Sequence, residues 1–304
     1  MLETLIIITH ASQAHMDEVF ACAVLVCKFP AEKVIIKRVN TFDNEKFKYF
    51  CWKKDTEKVF VVDIGGRFDN ELHFDHHQDE ENVKNECATT LVVKKFMLEI
   101  MEDDDWSKYI ESINYVDNNG GTRFFKDFAK VDKYLGYLLS LNNGIVDFFK
   151  DEPETVAIFL SKIIKKKLET IKKVKELEIK VRMNTFVRNI EGMNILFLNK
   201  HHDEIEKDLD INILNKIINK LIRDYPYTIH ASLTYDPRDE NKKRRSLYRF
   251  PRAEDELDFN LAIEKNILKE EDITFCHKKG FILNFSSEDI DNVLKEIIKG
   301  SKKC

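Results

Sequence analysis

The strongest constraint on the fold is an alternation of apolar runs and helical segments in residues 1–120. The runs TLIIITH, KVIIKRV and KVFVVDIGG are short and rich in β-branched residues, as buried strands of a parallel sheet are. The segment MDEVFACAVLVCKF places its apolar residues at helical spacing, and CATTLVVKKFMLEIM and WSKYIESINYV are also typical of helices. Strands separated by helices predict an α/β fold with a doubly wound parallel sheet.

A lysine-rich helical stretch follows, and strand signals then return. Residues from about Lys130 to Val187 have apolar positions at three- and four-residue steps, which predicts a long connecting helix. MNILFL, TIHASLTY, RRSLYRF and ITFCHKKGFILNF are typical of strands, INILNKIINKLIRDY of a helix, and SSEDIDNVLKEIIKG of a helix with serine caps and a terminal glycine. We expect an N-terminal α/β domain in residues 1–130, a helical connector in 131–190 and a smaller α+β domain in 191–304.

Composition and charge narrow the class of protein. The 304 residues are 43% hydrophobic and 34% charged, which is typical of a globular protein. No apolar run approaches the ~20 residues of a membrane helix, and MLETLIIITH lacks the features of a signal peptide. The net charge of −5 means that any phosphate-binding surface must be local. Six cysteines without a CxxC pair favour a reducing compartment, so we expect a cytoplasmic protein without membrane contact.

Polar residues interrupt the apolar segments where predicted strands, and in one case a helix, end. Taken singly they have ordinary explanations, such as a turn aspartate, a first-turn charge or a surface histidine. Together they fall at one end of the predicted sheet and supply the carboxylates and imidazoles that bind Mn²⁺ or Mg²⁺. Two such ions about 4 Å apart can clamp both oxygens of a phosphoryl displacement, and Asp63 is the natural bridging carboxylate. The residues are His10, His15, Asp17, Asp63, Asp75, His76, His77 and Asp117.

A basic run in the C-terminal domain has two explanations. In DENKKRRSLYRFPR, Arg249 and Arg252 alternate with aromatic residues, as in surfaces that follow a phosphate backbone and stack bases. The alternative is a solvated hairpin tip at DPRDENKK, which is favoured for Lys242 and Lys243. The HHDE stretch at residues 201–204 has no further ligand residues nearby and predicts a solvated loop.

The order of the N-terminal motifs resembles the DHH phosphoesterase superfamily. The motifs are H-x4-H-x-D, VVDIGG, DHHQ and VDN. Within that superfamily, THASQAHMDEVFACAVL and VVDIGGRFDNELHFDHHQ resemble the Myg-one (melanocyte proliferating gene) exonuclease branch, and DITFCHKKGFILNFSSEDIDNVL resembles its C-terminal segment. The resemblance implies a DHH-type metal-binding catalytic domain at the N-terminus and a substrate-binding domain at the C-terminus.

The resemblance also implies a role for each matching residue. His77 would face the phosphate, Asp75 would orient the imidazoles, and water of lowered pKa would be the nucleophile. His277 and Lys278, in the C-terminal segment, would contact a nucleotide. The implied ligands are His10, His15 and Asp63 for one Mn²⁺ ion, and Asp17, Asp63, His76 and Asp117 for the second.

These features predict a metal-dependent phosphodiesterase that acts on RNA or short oligonucleotides, with 3′→5′ exonuclease activity implied by the resemblance. Two alternatives stay open, because Leu283, Asn284 and Phe285 stand where the branch has two glycines and a histidine. One alternative is a non-catalytic nucleotide- or RNA-binding module with a relic metal site. The other is a phosphatase for a small substrate such as pyrophosphate or a mononucleotide.

Overall fold

The computed structural model describes residues 2–40, 55–78, 81, 83–127, 133–206, 209–236, 238–239, 241 and 243–303. The chain divides into two compact units, Met1–Ile171 and Lys172–Cys304. The three-part division with limits at residues 130 and 190 stays a prediction. The first of these limits and Lys242 of the basic run lie outside the described residues.

The first unit contains a four-stranded parallel sheet. Strand β1, Leu2–His10, pairs on one side with β2, Ala31–Val39, and on the other with β3, Glu57–Val62. Strand β3 also pairs with the short β4, His73–Phe74, so the order is β2-β1-β3-β4. The parallel α/β fold predicted for the N-terminal region is confirmed.

The central residues of strand β1 pack on both faces of the sheet, which explains the apolar run from Leu5 to Ile8. Leu5 and Ile7 belong to the large core that the sheet forms with the helices, whereas Ile8 packs with Val59 and Val61 on the opposite face. Alternate residues of a strand point to opposite faces, so each position needs an apolar side chain. The polar residues that follow the strands therefore mark the edge of this core.

Helices connect the strands and cover the sheet. The first helix contacts β1 and β3, and the second contacts β4. The second helix is shorter than CATTLVVKKFMLEIM predicts, because Met97 leaves the helical conformation at φ −152° and Leu98–Glu102 continues as a 3₁₀ helix. The helices are α1 Met16–Lys28, α2 Ala88–Phe96, α3 Asp104–Asn119, α4 Gly121–Asp127, α5 Lys133–Asp151 and α6 Pro153–Met183. A long helix is present as α6, but the stretch predicted from about Lys130 to Val187 is not one helix: α5 ends at Asp151, α6 begins at Pro153, and a strand begins at Thr185.

The second unit contains a six-stranded mixed sheet of order β5-β6-β7-β8-β10-β9. Only β6 and β7 pair in parallel, and the other neighbours are antiparallel. The α+β fold predicted for the C-terminal domain is confirmed. The elements are β5 Thr185–Ile190, β6 Met193–Leu198, α7 His202–Ile205, α8 Ile211–Asp224, β7 Ala231–Tyr235, β8 Arg244–Arg249, α9 Phe259–Glu264, β9 Ile273–Cys276, β10 Ile282–Ser286 and α10 Ile290–Ser301.

Both ends of helix α10 differ from the sequence prediction. Its N-cap is Asp289, whose side chain accepts a hydrogen bond from the Asn292 amide, rather than a serine. Gly300 lies inside the last turn rather than after it. A Cβ atom at Gly300 would lie 2.0 Å from Ile267 Cδ1 and 3.4 Å from Ala262 Cα, so a larger residue at this position would require the Ile267 side chain to move.

The HHDE stretch is not the solvated loop that its sequence predicts. His201 is buried, and its ring packs edge-on against Tyr235 with a centroid distance of 5.7 Å. The next residues form the short helix α7. Tertiary packing against β7 therefore gives His201 a structural position.

Among the helices that the described residues form, none combines the length and the apolar character that a bilayer-spanning helix requires.

Candidate metal centre

Three neighbouring parallel strands deliver polar side chains to one edge of the first sheet. His10 is the last residue of β1, Asp63 directly follows β3, and Asp75 directly follows β4. Because parallel strands end at the same edge, these side chains lie beside one another, where sites of α/β folds are found. Helix α1 then adds His15 at its N-cap and an acidic pair in its first turn.

The backbone after β3 is held in an uncommon conformation. Asp63 has a φ of 55°, in the left-handed region that aspartate tolerates better than most residues, and Gly65 and Gly66 follow at 105° and 60°. The Asp63 amide donates to Phe74 O at 3.0 Å, and the Gly66 amide donates to Asp75 Oδ2 at 2.6 Å. The VVDIGG turn and the DHH loop thus fix each other.

His10 is buried between two carboxylates. Its Nε2 lies 2.5 Å from Glu18 Oε2 and 3.0 Å from Asp63 Oδ2, and its Nδ1 lies 2.6 Å from Ser12 Oγ. Burial by itself lowers the pKa of His10, but the hydrogen bonds to Asp63 and Glu18 raise it to about 10. Negative charge therefore dominates this part of the edge.

Glu18 is the residue that the sequence prediction missed. It is fully buried in the first turn of α1, and its Oε2 also accepts from the His15 amide at 3.2 Å. The signal was present, because His15 and Glu18 have the three-residue spacing of a capping box. Burial raises the pKa of Glu18, although His10 opposes that shift.

His76 lies between two more carboxylates. Its Nε2 is 3.1 Å from Asp117 Oδ2 and 3.3 Å from Asp63 Oδ1. Burial by itself lowers the pKa of His76, but Asp117 and Asp63 raise it to about 10. Burial by itself raises the pKa of Asp63, but the hydrogen bond from His10 and the nearby His76 imidazole lower it to about 2. Asp63 thus stands between both histidines, one on each carboxylate oxygen.

Asp17 connects the centre to helix α2. It is buried and accepts from the amides of Ala88 at 2.9 Å and Thr89 at 2.7 Å, at the helix N-terminus. Burial, followed by the charges of Asp63 and Asp117, raises the pKa of Asp17 to about 7. The CATT sequence therefore supplies backbone donors that position this carboxylate.

Within the described residues, three groups of side chains each bring ligand atoms within 4.8 Å of one another. All six predicted ligands fall in these groups, and Glu18 and His77 join them. The groups are His10, His15 and Glu18; Asp63, His76 and His77; and Asp17, His76 and Asp117. The assignment of ligands to two particular ions stays a prediction.

The donor set fits a divalent cation. Glu18 Oε1 and Asp63 Oδ1 are buried and have no hydrogen-bond partner among the residues that the structure describes. A buried carboxylate oxygen without a partner is costly. Metal ions at the groups that contain Glu18 and Asp63 would satisfy these atoms, and the mixture of imidazole and carboxylate is compatible with Mn²⁺ or Mg²⁺.

The two adjacent histidines have different environments. The His76 side chain is 10% exposed, whereas that of His77 is 60% exposed. His77 Nδ1 lies 2.6 Å from Asp75 Oδ1, a contact that raises the pKa of His77. Asp75 itself is buried. The geometry is compatible with the predicted roles of a ligand, a substrate contact and an orienting carboxylate, and these roles stay predictions.

Arg249 is one of the four residues of the second unit that are predicted to bind substrate, and its contacts are structural. It is buried, and its guanidinium donates to Leu257 O at 2.5 Å and to Glu254 O at 3.4 Å. The alternation of arginines and aromatic residues therefore does not place Arg249 on a surface. Its partner residues are five and eight positions later in the chain, in contacts that strand periodicity does not indicate.

The other three residues are accessible to different degrees. Arg252 is exposed and donates from Nε to Ile229 O at 3.1 Å. His277 and Lys278 lie in the turn between β9 and β10. Lys278 is exposed, whereas His277 is half-buried and its ring packs against that of Phe281 with a centroid distance of 4.0 Å.

Comparisons with known proteins agree with the motifs of the first unit. Residues 6–133 match the family model MYG1_exonuc, which is described as an uncharacterised protein family (UPF0160). No curated protein matches the chain. The matched residues contain the motifs that resemble the Myg-one branch, and they make up less than half of the 304-residue chain.

Solved structures also resemble the chain, at low identity. A DHH domain described as belonging to a member of a family of ribosomal proteins is 14% identical, with a TM-score of 0.36, and the match covers 98% of this chain and 86% of that one. An uncharacterised protein from Helicobacter pylori G27 is 12% identical, with a TM-score of 0.24 and coverage of 98% and 100%. CDC45 from Entamoeba histolytica is 12% identical, with a TM-score of 0.34 and coverage of 98% and 95%.

Proposed function

We propose that the protein is a metal-dependent phosphodiesterase that hydrolyses RNA or short oligonucleotides as a 3′→5′ exonuclease. The observation that carries the proposal is the convergence of three ligand groups at the carboxyl ends of β1, β3 and β4, with His76 shared between two of them. Buried charges that the protein itself leaves unsatisfied are characteristic of functional sites.

Two Mn²⁺ ions, or Mg²⁺ in their place, are the proposed cofactors. Bound ions of this type lower the pKa of water and neutralise the charge of a phosphate. Glu18 joins the proposed ligands through its contact with His10. The other proposed ligands are His10, His15, Asp17, Asp63, His76 and Asp117.

The surrounding side chains position substrate. Because His77 Nδ1 faces Asp75, the opposite ring nitrogen is left for a phosphate oxygen, and the exposed side chain can reach it. In the second unit, Arg252, His277 and Lys278 are the proposed contacts to the polynucleotide. The cytoplasm is the proposed location, and the described cysteines are free thiols.

The proposal is tested with purified protein and Mn²⁺ on a panel of labelled RNA, DNA, dinucleotides and pyrophosphate. We expect stepwise shortening of 5′-labelled RNA from its 3′ end, and loss of cleavage with a chelator. Cleavage of pyrophosphate alone would support a small-substrate phosphatase. RNA binding without cleavage would support a non-catalytic module.

A further inference from the structure

A cavity of about 660 Å³ opens beside the metal centre, within the first unit. His15, Asp17 and Asp117 line one part of it. Helix α5, which carries none of the predicted ligands, contributes another part. A cavity of this volume is in the range that binds small organic molecules or one end of a larger one.

The α5 side of the cavity includes a row of three side chains at helical spacing. Asn142, Val146 and Lys150 follow one another at four-residue steps, so they share a face of the helix. The α3 side adds Ile113 and Val116 in front of Asp117. The cavity thus combines apolar walls with an amide at one position and proposed metal ligands at another.

Asn142 is held in place but has an unused donor. It is 6% exposed, and its Oδ1 accepts from the Tyr109 hydroxyl at 2.9 Å. Burial raises the pKa of Tyr109 to about 12, so this hydroxyl keeps its proton and donates it to Oδ1. Asn142 Nδ2 is buried and has no hydrogen-bond partner in the part of the chain that the structure describes. Such a donor is costly unless a ligand completes it.

The charges around the cavity argue against a second phosphate. Asp17, Asp117 and Asp147 line it, and the Lys150 ammonium already pairs with Asp147 Oδ1 at 2.7 Å. The carboxylates would repel an anion in this cavity, except where bound metal ions neutralise them. An uncharged, flat, partly apolar group with hydrogen-bond acceptors suits it better.

We propose that the cavity binds the terminal nucleoside of the substrate while the adjoining phosphate lies at the metal centre. This inference rests on the proposed function and adds the part of the substrate that α5 recognises. The base packs against Val116 and Val146, and Asn142 Nδ2 donates to a ring nitrogen or carbonyl oxygen. Every base carries such an acceptor, so the contact is tolerant of sequence.

The direct test is binding of free adenosine and uridine to the metal-free full-length protein, measured by calorimetry or ligand-observed NMR. We expect saturable binding that the cavity-filling variant Val146→Trp abolishes. Asn142→Asp keeps the acceptor for Tyr109 and removes the donor, so we expect about tenfold weaker binding, equivalent to about 1.4 kcal/mol. Phe148→Ala, at an exposed position of the same helix outside the cavity, is the control and leaves binding unchanged.

Thermal melting shows whether each variant folds, and Val146→Trp decides the matter if Asn142→Asp does not fold. Unaltered nucleoside binding in a folded Val146→Trp protein, or no binding by the wild type, overturns the assignment of the cavity.

A second measurement separates this inference from the proposed function. With Mn²⁺, the wild type is given a dinucleotide and the same compound with an abasic 3′ unit. We expect a KM at least about tenfold higher for the abasic compound, from the loss of the base contacts. Equal KM values overturn the cavity assignment while the phosphodiesterase stands. If the protein cleaves neither compound, the proposed function itself is overturned.

Discussion

Both units contain buried aspartates, but the two units differ in the hydrogen-bond partners that these carboxylates have. In the second unit, Asp236 is fully buried, and each of its carboxylate oxygens accepts hydrogen bonds, from Arg238 and from Asn284. In the first unit, Asp63 Oδ1 and Glu18 Oε1 have no such partner among the described residues. A buried charge alone therefore does not identify a functional site. A cluster of buried charged atoms without hydrogen-bond partners among the described residues is a stronger candidate for a functional site, because a bound ion would complete it.

The largest effect is expected for Asp63→Asn. Asparagine tolerates the φ of 55°, so the substitution removes the charge and keeps the backbone conformation. We expect metal content to fall and hydrolysis to decrease on the order of 1,000-fold, the upper end for one oriented electrostatic group.

The matched control for that variant is Asp236→Asn, which changes a satisfied aspartate in the second unit. Its hydrolysis rate should stay near that of the wild type. Equal loss of activity in both variants would remove the distinction between the two buried aspartates.

The adjacent histidines give the next largest effect. His77→Ala should lower turnover about 100-fold, the lower end for a group that acts directly on the reacting phosphate, and elemental analysis should find its metal content retained. His76→Ala should lose metal, because its Nε2 contacts both Asp63 and Asp117. Metal loss in the His77 variant with retention in the His76 variant would show that the two roles are exchanged.

In the second unit, the substitutions of Arg249 and Arg252 should affect different properties: protein stability for Arg249 and RNA binding for Arg252. Arg249→Ala leaves Leu257 O without its donor and should lower the free energy of unfolding by about 1–3 kcal/mol. Arg252→Ala removes a hydrogen bond made by an exposed side chain, so it should lower stability less than Arg249→Ala does, and it should reduce the log–log salt slope of single-stranded RNA binding by about 0.7. Lys243→Ala removes the same charge from the predicted solvated tip and serves as the control. An unchanged slope in the Arg252 variant would exclude Arg252 as a phosphate contact.

The smallest effect concerns the pH dependence of stability. Burial by itself raises the pKa of Asp236, but Arg238 lowers it below the ordinary value of 3.8. The folded state thus holds the proton less tightly than the unfolded state, so the carboxylate stabilises the fold above pH 3.8. This stabilisation is lost as the pH falls below that value. Melting temperatures of the wild type and Asp236→Asn should differ at pH 7 and approach one another as the pH falls below 3.8; a constant difference would contradict the ion pair.

The local sequence was sufficient to predict a candidate site residue where the position of that residue follows from the end of a strand. His10 and Asp63 were predicted because they end apolar runs, and parallel strands bring such ends together. Glu18 was missed because a first-turn acid usually faces solvent, and only the depth of α1 in the core buries it. Arg249 was misplaced because a neighbouring loop, rather than its strand, supplies its acceptors.

The cavity residues on α5 could not be predicted for a related reason. Asn142 is an ordinary helical residue in sequence, and its significance comes from Tyr109, which lies 33 positions earlier in the chain. Periodicity indicates which face of a helix is buried, but it does not show which polar group on that face lacks a partner.

The most direct test of the metal centre is a Mn²⁺ titration of chelator-treated protein, with bound metal and the shortening of 5′-labelled RNA followed in the same samples. We predict that hydrolysis is absent without metal and rises in step with the binding of Mn²⁺, and that Asp63→Asn shows neither. A wild-type protein that binds no divalent metal, or that cleaves RNA equally well after chelation, would contradict the account.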